Sequence, residues 1–239
     1  MTDQQMTKTS SFHLDDGAIE FQDGDTLLQA AQRAGKYIPH LCYHPAYAPH
    51  GNCKLCTVKL NGRFVSSCCT KAEANAQVES QTDELQLLRK QLTQMLFVEG
   101  NHHCPFCERS GNCQLQATAY YLGMHDNHFD HQFPNRNIDA SHPDVMLDRD
   151  RCIMCGLCVS ASEAEGKSVF ALSGRGADTH LIINSTSGLL KDSQVDAHDK
   201  AMHVCPVGAL IVKGTAFHKP IGERAYDHDT IDNVGHHTE

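Results

Sequence analysis

The sequence predicts an α+β chain of three small units, each organised by its own group of cysteines. Short strand-like pairs alternate with helix-like runs along the chain. The twelve cysteines fall at 42, 53, 56, 68 and 69, then at 104, 107 and 113, then at 152, 155, 158 and 205, leaving residues 70–103 and 114–151 free of them. With 40% hydrophobic residues and no tryptophan, a conventional core is modest, so something else is expected to stabilise the units. The boundaries read as 1–79, 80–141 and 142–239.

In the first unit, FHL and AIEF flank Asp15-Asp16-Gly17 and predict a hairpin. Gly24-Asp25-Thr26 caps a helix through LLQAAQRA that stops at Gly35. CTVKLNGRFVSSC then places two strands across Asn61-Gly62, a strong hairpin signal. In the second unit, Leu85, Leu88, Leu92 and Leu96 recur at the period of an amphipathic helix, a stripe read as packing against the neighbouring unit. LQATAYYLGM reads as a second helix, and the polar tract from His125 to Pro143 as a linker or covering loop. In the third unit, VFAL and HLIIN are strand-like, KDSQVDAHDKAMHV predicts a short helix, and the tail beyond Lys213 extends over the surface or toward a partner.

The net charge of -9, with no lysine or arginine run, argues against a nucleic-acid surface and against an anionic membrane surface. The N-terminal stretch carries no signal-like apolar run, and no segment approaches the roughly 20 apolar residues of a membrane span. The expectation is a cytoplasmic chain without membrane insertion, where twelve cysteines serve as metal ligands rather than as a disulfide framework.

The third cysteine group is the sharpest. Cys152-x2-Cys155-x2-Cys158 sets three thiols in one tight turn, and Cys205 precedes a proline, as in bacterial [4Fe-4S] runs. Zinc sites draw pairs of ligands from each segment, so a [4Fe-4S] cluster is expected, with Cys205 closing the same site. Cys104-x2-Cys107-x5-Cys113 is one thiolate short of a complete site, and His102 and His103 stand beside it. Imidazole suits iron and removes one negative charge, which raises the potential as in Rieske centres. In the first group, Cys42-x10-Cys53-x2-Cys56-x11-Cys68, the central pair matches the C-x2-C of plant-type [2Fe-2S] sites with a longer wrap before it. Gly51 permits close backbone approach beside the ligands. The pair runs into a strand rather than opening a helix, which speaks against a thioredoxin-like disulfide exchanger. Cys69 is surplus and reads as a small buried apolar residue, with the choice between Cys68 and Cys69 open.

Three ordered signatures, CYHP…GNCKLCTVKLNGR…SCCT, GNHHCPFCERSGNCQLQATAY and CIMCGLC…CPVGAL, resemble the small diaphorase subunit of soluble, bidirectional NAD-reducing [NiFe] hydrogenases. That family is itself similar to the N-terminal portion of the complex I large iron–sulfur subunit. The resemblance covers nearly the whole chain. It implies an N-terminal β-grasp [2Fe-2S] ferredoxin-like domain held by Cys42, Cys53, Cys56 and Cys68. It also implies a small helical [4Fe-4S] domain with His102, Cys104, Cys107 and Cys113, and a C-terminal [4Fe-4S] ferredoxin-type domain with Cys152, Cys155, Cys158 and Cys205. Complex I relatives place the histidine four residues before the first cysteine, where this chain has Gly100, whereas the hydrogenase-linked branch shares GNH-x-C and favours His102.

No Gly-rich dinucleotide fingerprint and no paired carboxylates single out a catalytic site. The resemblance therefore implies a non-catalytic electron-relay subunit of a hydrogen dehydrogenase complex. Its partners would be a flavin/NAD-binding diaphorase subunit and the NiFe hydrogenase small and large subunits, and the complex would support reversible H2 + NAD+ to H+ + NADH. An electron-transfer subunit of a formate dehydrogenase or complex I-like NADH dehydrogenase is the rival from the same chemistry. A structural zinc-binding module, colourless and free of sulfide, is the rival from another class.

Overall fold

The architecture is given by a computed structural model that describes residues 10–126 and 128–236. β1 (Ser10–Leu14) and β2 (Gly17–Phe21) pair antiparallel, with Phe12, Leu14, Ile19 and Phe21 alternating inward. α1 (Leu27–Arg33) packs Leu27, Leu28, Ala30 and Ala31 on that face. It is opened by a capping box in which the Thr26 hydroxyl accepts from Gln29 N and the Gln29 side chain accepts from Thr26 N. β3 (Thr57–Leu60) and β4 (Arg63–Ser66) form the expected hairpin, with Asn61 and Gly62 both at positive φ as a two-residue turn demands.

A short strand that the sequence pattern did not announce, β5 (Gln77–Glu79), completes this sheet in the order β2-β1-β5-β3-β4. It runs parallel to β1 and antiparallel to β3. Three residues are too few to show a period of two, so only the partners on both sides define it.

α2 (Asp83–Glu99) starts at a Thr82 cap and ends at Gly100. Leu85 is buried, and Leu92 and Leu96 pack into an apolar cluster with residues of the flanking units, as the stripe predicts. The same face also buries Arg89 completely. Its guanidinium donates to Leu55 O at 3.0 Å, Thr57 O at 2.9 Å, Ser80 O at 2.7 Å and Ser80 Oγ at 3.0 Å. This fork fastens the helix to the first unit. α3 (Gln114–Tyr121) follows as expected.

In the last unit β7 (Val145–Asp148) lies between β10 (Leu210–Val212) and β6 (Ile138–Asp139), a short strand supplied by the tract read as a linker or covering loop ahead of residue 142. α4 (Leu157–Ala164) leaves the cysteine turn, and β8 (Phe170–Ser173) with β9 (His180–Ile183) forms a separate hairpin. The helix expected over residues 191–204 shrinks to α5 (Lys200–His203). Ahead of it, Asp196 N and His198 N bond to the Asp199 and Asp196 carboxylates instead of to helix carbonyls, the competition that makes Asp a poor interior helix residue.

The tail does not run free over the surface. Arg224 Nη1 donates to Ser110 O at 3.1 Å, Ala225 N to Asn112 Oδ1 at 2.9 Å and Tyr226 N to Gly111 O at 3.0 Å. α6 (Ile231–Val234) then buries Ile231. Beyond it, His236 stacks on His40 with centroids 3.7 Å apart and bonds Gln114 Oε1 through Nδ1 at 2.9 Å.

Candidate iron–sulfur sites

The first cysteine group lies on the loop between α1 and β3 and on the turn after β4. Gly51 and Lys54 adopt positive φ in that loop, wrapping it so that Cys53 N donates to Cys42 Sγ at 3.4 Å. Ser67 bonds Cys56 O through both its N–H and its hydroxyl, and this clasp sets Cys56 Sγ and Cys68 Sγ 3.3 Å apart. The close thiols share protons. The Cys53 thiol beside Cys42 lowers its pKa to about 6, and the Cys68 thiol does the same for Cys56, to about 7. Cys53 and Cys68 are pushed upward in turn by those neighbours.

Cys69 is not the buried apolar residue expected from alternation. It is exposed, with Sγ 3.5 Å from Cys68 Sγ, and Cys68 is fully buried. The strand ends at Ser66 and the two cysteines sit in a turn where Cys69 N and Thr70 N both bond Ser66 O, so strand alternation does not govern their directions.

His102, Cys104, Cys107 and Cys113 line one cavity between the two helices of the middle unit and the Val207-Gly208 segment. His102 Nε2 is enclosed and has no hydrogen-bond partner, which is costly for a polar nitrogen unless a ligand takes its lone pair. Burial, with Arg151 and Arg136 nearby, lowers its pKa to about 4, so the imidazole is neutral and able to coordinate. Burial pushes Cys113 up to about 12 and raises Cys104. His103 lies outside this cavity.

A second cavity gathers Cys152, Cys155, Cys158 and Cys205 among apolar walls that include Leu172, Leu181 and Ala209. Met154 and Gly156 take positive φ and fold the turn so that its three thiols converge. Burial raises Cys152 to about 11 and Cys155 and Cys158 well above the usual thiol range. Protons must therefore leave when a metal enters. Among the described residues no three His, Cys, Asp or Glu donors are grouped closely enough to hold one metal ion.

Comparison with known proteins agrees with this division. Residues 7–83 match the 2Fe-2S iron-sulfur cluster binding domain, residues 89–128 the NADH-ubiquinone oxidoreductase-G iron-sulfur binding region, and residues 145–212 the 4Fe-4S single cluster domain. The HoxS gamma chain of the NAD-reducing hydrogenase of Cupriavidus necator is 36% identical over 221 residues, covering 91% of this chain and 93% of that protein. The chain belongs to the NAD-reducing hydrogenase gamma family. A crystal structure of an NAD+-reducing [NiFe]-hydrogenase in the H2-reduced state contains a chain that superimposes with a TM-score of 0.92 at 50% identity, covering 94% of this chain and 96% of that one. The mitochondrial NADH-ubiquinone oxidoreductase 78 kDa subunit of Candida albicans is 28% identical over 229 residues, but this chain spans only 31% of its length. In this gamma-family chain the three units carry one [2Fe-2S] and two [4Fe-4S] binding domains.

The sites are also mutually close. One apolar cluster built on Leu41, Leu55, Leu115 and Val207 touches Cys53, Cys113, Cys152 and Cys205, and so reaches all three cysteine groups. His50 Nε2 meets Ser160 Oγ at 2.7 Å, joining the first loop to the last unit. Sequence reasoning missed Arg89 and Arg151, and noted Gly100 only as the position where complex I relatives carry the histidine. For Arg89 a signal existed, since it lies four residues after Leu85 within the apolar stripe.

Proposed function

We propose that this chain is the electron-relay subunit that carries electrons between a flavin/NAD diaphorase subunit and the small and large subunits of a NiFe hydrogenase. The assembled complex interconverts H2 + NAD+ and H+ + NADH. The observation that carries the reading is the apolar cluster that touches cysteines from all three groups, because a relay needs its centres adjacent and shielded from water. When bound, the clusters supply one-electron oxidation and reduction.

We assign Cys42, Cys53, Cys56 and Cys68 to the [2Fe-2S] cluster on a β-grasp domain of residues 1–79, a topology supported by the central parallel pairing of β1 with β5. His102, Cys104, Cys107 and Cys113 hold a [4Fe-4S] cluster in residues 80–141, and Cys152, Cys155, Cys158 and Cys205 hold the other in residues 142–239. His102 is preferred to His103 because its Nε2 is enclosed without a partner. Gly100 makes this possible: a Cβ there would lie 2.5 Å from His102 Nε2. The ring thus occupies the space a side chain at position 100 would fill.

The residues shield and hold. Leu181 and Ala209, both buried, wall the last site, and Arg89 keeps the middle helix in register with the first unit. Among the described residues no helix is long and apolar enough to cross a membrane, and a cytoplasmic complex fits the acidic composition.

The test is Cys155→Ala in the reconstituted complex. Hydrogen-driven NAD+ reduction is expected to stop, while NADH oxidation by the flavin subunit with an artificial acceptor and hydrogen oxidation with a viologen dye both persist. Undiminished hydrogen-driven NAD+ reduction would remove the chain from the electron route.

A further inference from the structure

Arg151 closes a 3-10 turn (Arg149–Arg151) immediately before Cys152, but its side chain leaves the C-terminal unit and enters the middle one. Nη1 lies 2.8 Å from Glu108 Oε1 and 3.8 Å from Cys107 Sγ, and Nε lies 2.9 Å from Asp148 Oδ2. The guanidinium lines the cavity shared by His102 and the three cysteines. Both carboxylate partners are largely enclosed, at 14% and 8% side-chain exposure, and the arginine itself is at 21%. The contacts are therefore screened less than a surface ion pair. The cation is fixed by the two carboxylates and aimed at a sulfur, an arrangement beyond what joining two units requires.

We propose that Arg151 sets the reduction potential of the histidine-ligated cluster, acting as a positioning residue that spans the middle and C-terminal sites. The inference rests on the assignment of Cys107 and Cys152 as ligands. Reduction adds one electron to the site, so a fixed positive charge and an N–H directed at a ligand sulfur stabilise the reduced form more than the oxidised one. Removing the guanidinium also leaves Glu108 and Asp148 unneutralised beside the sites. Both consequences lower the potential. Glu108, next in sequence to Cys107, is the opposing lever: neutralising it leaves the arginine charge less compensated and raises the potential.

The experiment is a redox titration of the purified complex, followed by EPR of each cluster, for the wild type, Arg151→Gln, Arg151→Lys and Glu108→Gln. In Arg151→Gln the reduced-to-oxidised ratio of the middle cluster at a fixed potential is expected to fall about tenfold, equivalent to about 59 mV for a one-electron couple. The C-terminal cluster is expected to shift in the same direction by less. Arg151→Lys keeps the charge and recovers most of the ratio, and Glu108→Gln shifts it upward. A purely structural role would instead lose iron without moving the potential of the clusters that remain. A middle cluster that titrates at the wild-type potential in Arg151→Gln and Glu108→Gln overturns the proposal. If Arg151→Gln fails to retain the cluster, Glu108→Gln decides alone, by an upward shift or by none. Absence of any histidine-ligated cluster signal in the wild type would instead strike down the ligand assignment, and the inference with it.

Discussion

Arg89 offers the most direct check on how the first two units are held together. Replacing it with methionine keeps much of the stem volume but removes four hydrogen bonds, three of them to the backbone carbonyls of Leu55, Thr57 and Ser80. Hydrogen bonds from a charged donor contribute about 1.5–3 kcal/mol each, and a buried carbonyl left unpaired costs about 1–3 kcal/mol. The removal of a buried charge that burial already disfavours, as the lowered Arg89 pKa indicates, offsets part of this. A net loss of about 3 kcal/mol is expected. With a urea dependence of about 3 kcal/mol per molar for a chain of this size, the midpoint falls by about 1 M. The assay is anaerobic urea denaturation followed through the visible absorbance of the bound clusters, with Arg89→Lys as an intermediate case because lysine reaches one carbonyl but lacks the planar fork. A midpoint unchanged in Arg89→Met would refute the argument that this fork fastens the helix.

Three other outcomes follow from named contacts. His102→Ala, and Gly100→Ala through its clash with the His102 ring, should each disturb only the middle cluster in EPR, whereas His103→Ala should leave it intact; the reverse pattern would reassign the ligand. Cys68→Ser should cost the [2Fe-2S] signal and Cys69→Ser should not, since Cys68 is buried against Cys56 and Cys69 is exposed. His236 is held well below the usual histidine pKa by its enclosure against His40. A histidine depressed in the folded state contributes stability that is full above about pH 6.5 and is lost as the pH falls below it, by up to about 1.4 kcal/mol per unit. Limited proteolysis of the tail should accelerate as the pH is lowered from about 7.5 to about 5.5, a window that brackets the unfolded histidine pKa, and His236→Gln should flatten that dependence. A tail equally resistant at both pH values contradicts it.

The three cysteine groups were legible because ligand chemistry is written in local spacing. Cys152, Cys155 and Cys158 converge through one turn, and no distant residue is needed to see it. The hairpins at Asp15-Asp16 and Asn61-Gly62 and the α1 capping box were legible for the same reason. What the sequence withheld is non-local. β5 is defined by two strands well before it in the chain, and the tail finds its place through Ser110, Asn112 and Gln114. Arg151 carries no signal of its own, because its partner sulfur lies 44 positions earlier. The single departure inside a ligand group, Cys69, arose where a strand rule was carried past the strand's end.

Iron and acid-labile sulfide per chain on anaerobically purified protein, with EPR of the reduced sample, test the central claim most directly. About ten of each, divided between one [2Fe-2S] and two [4Fe-4S] centres, is the expected result. Zinc without sulfide would contradict the relay and leave all three cysteine groups as structural sites.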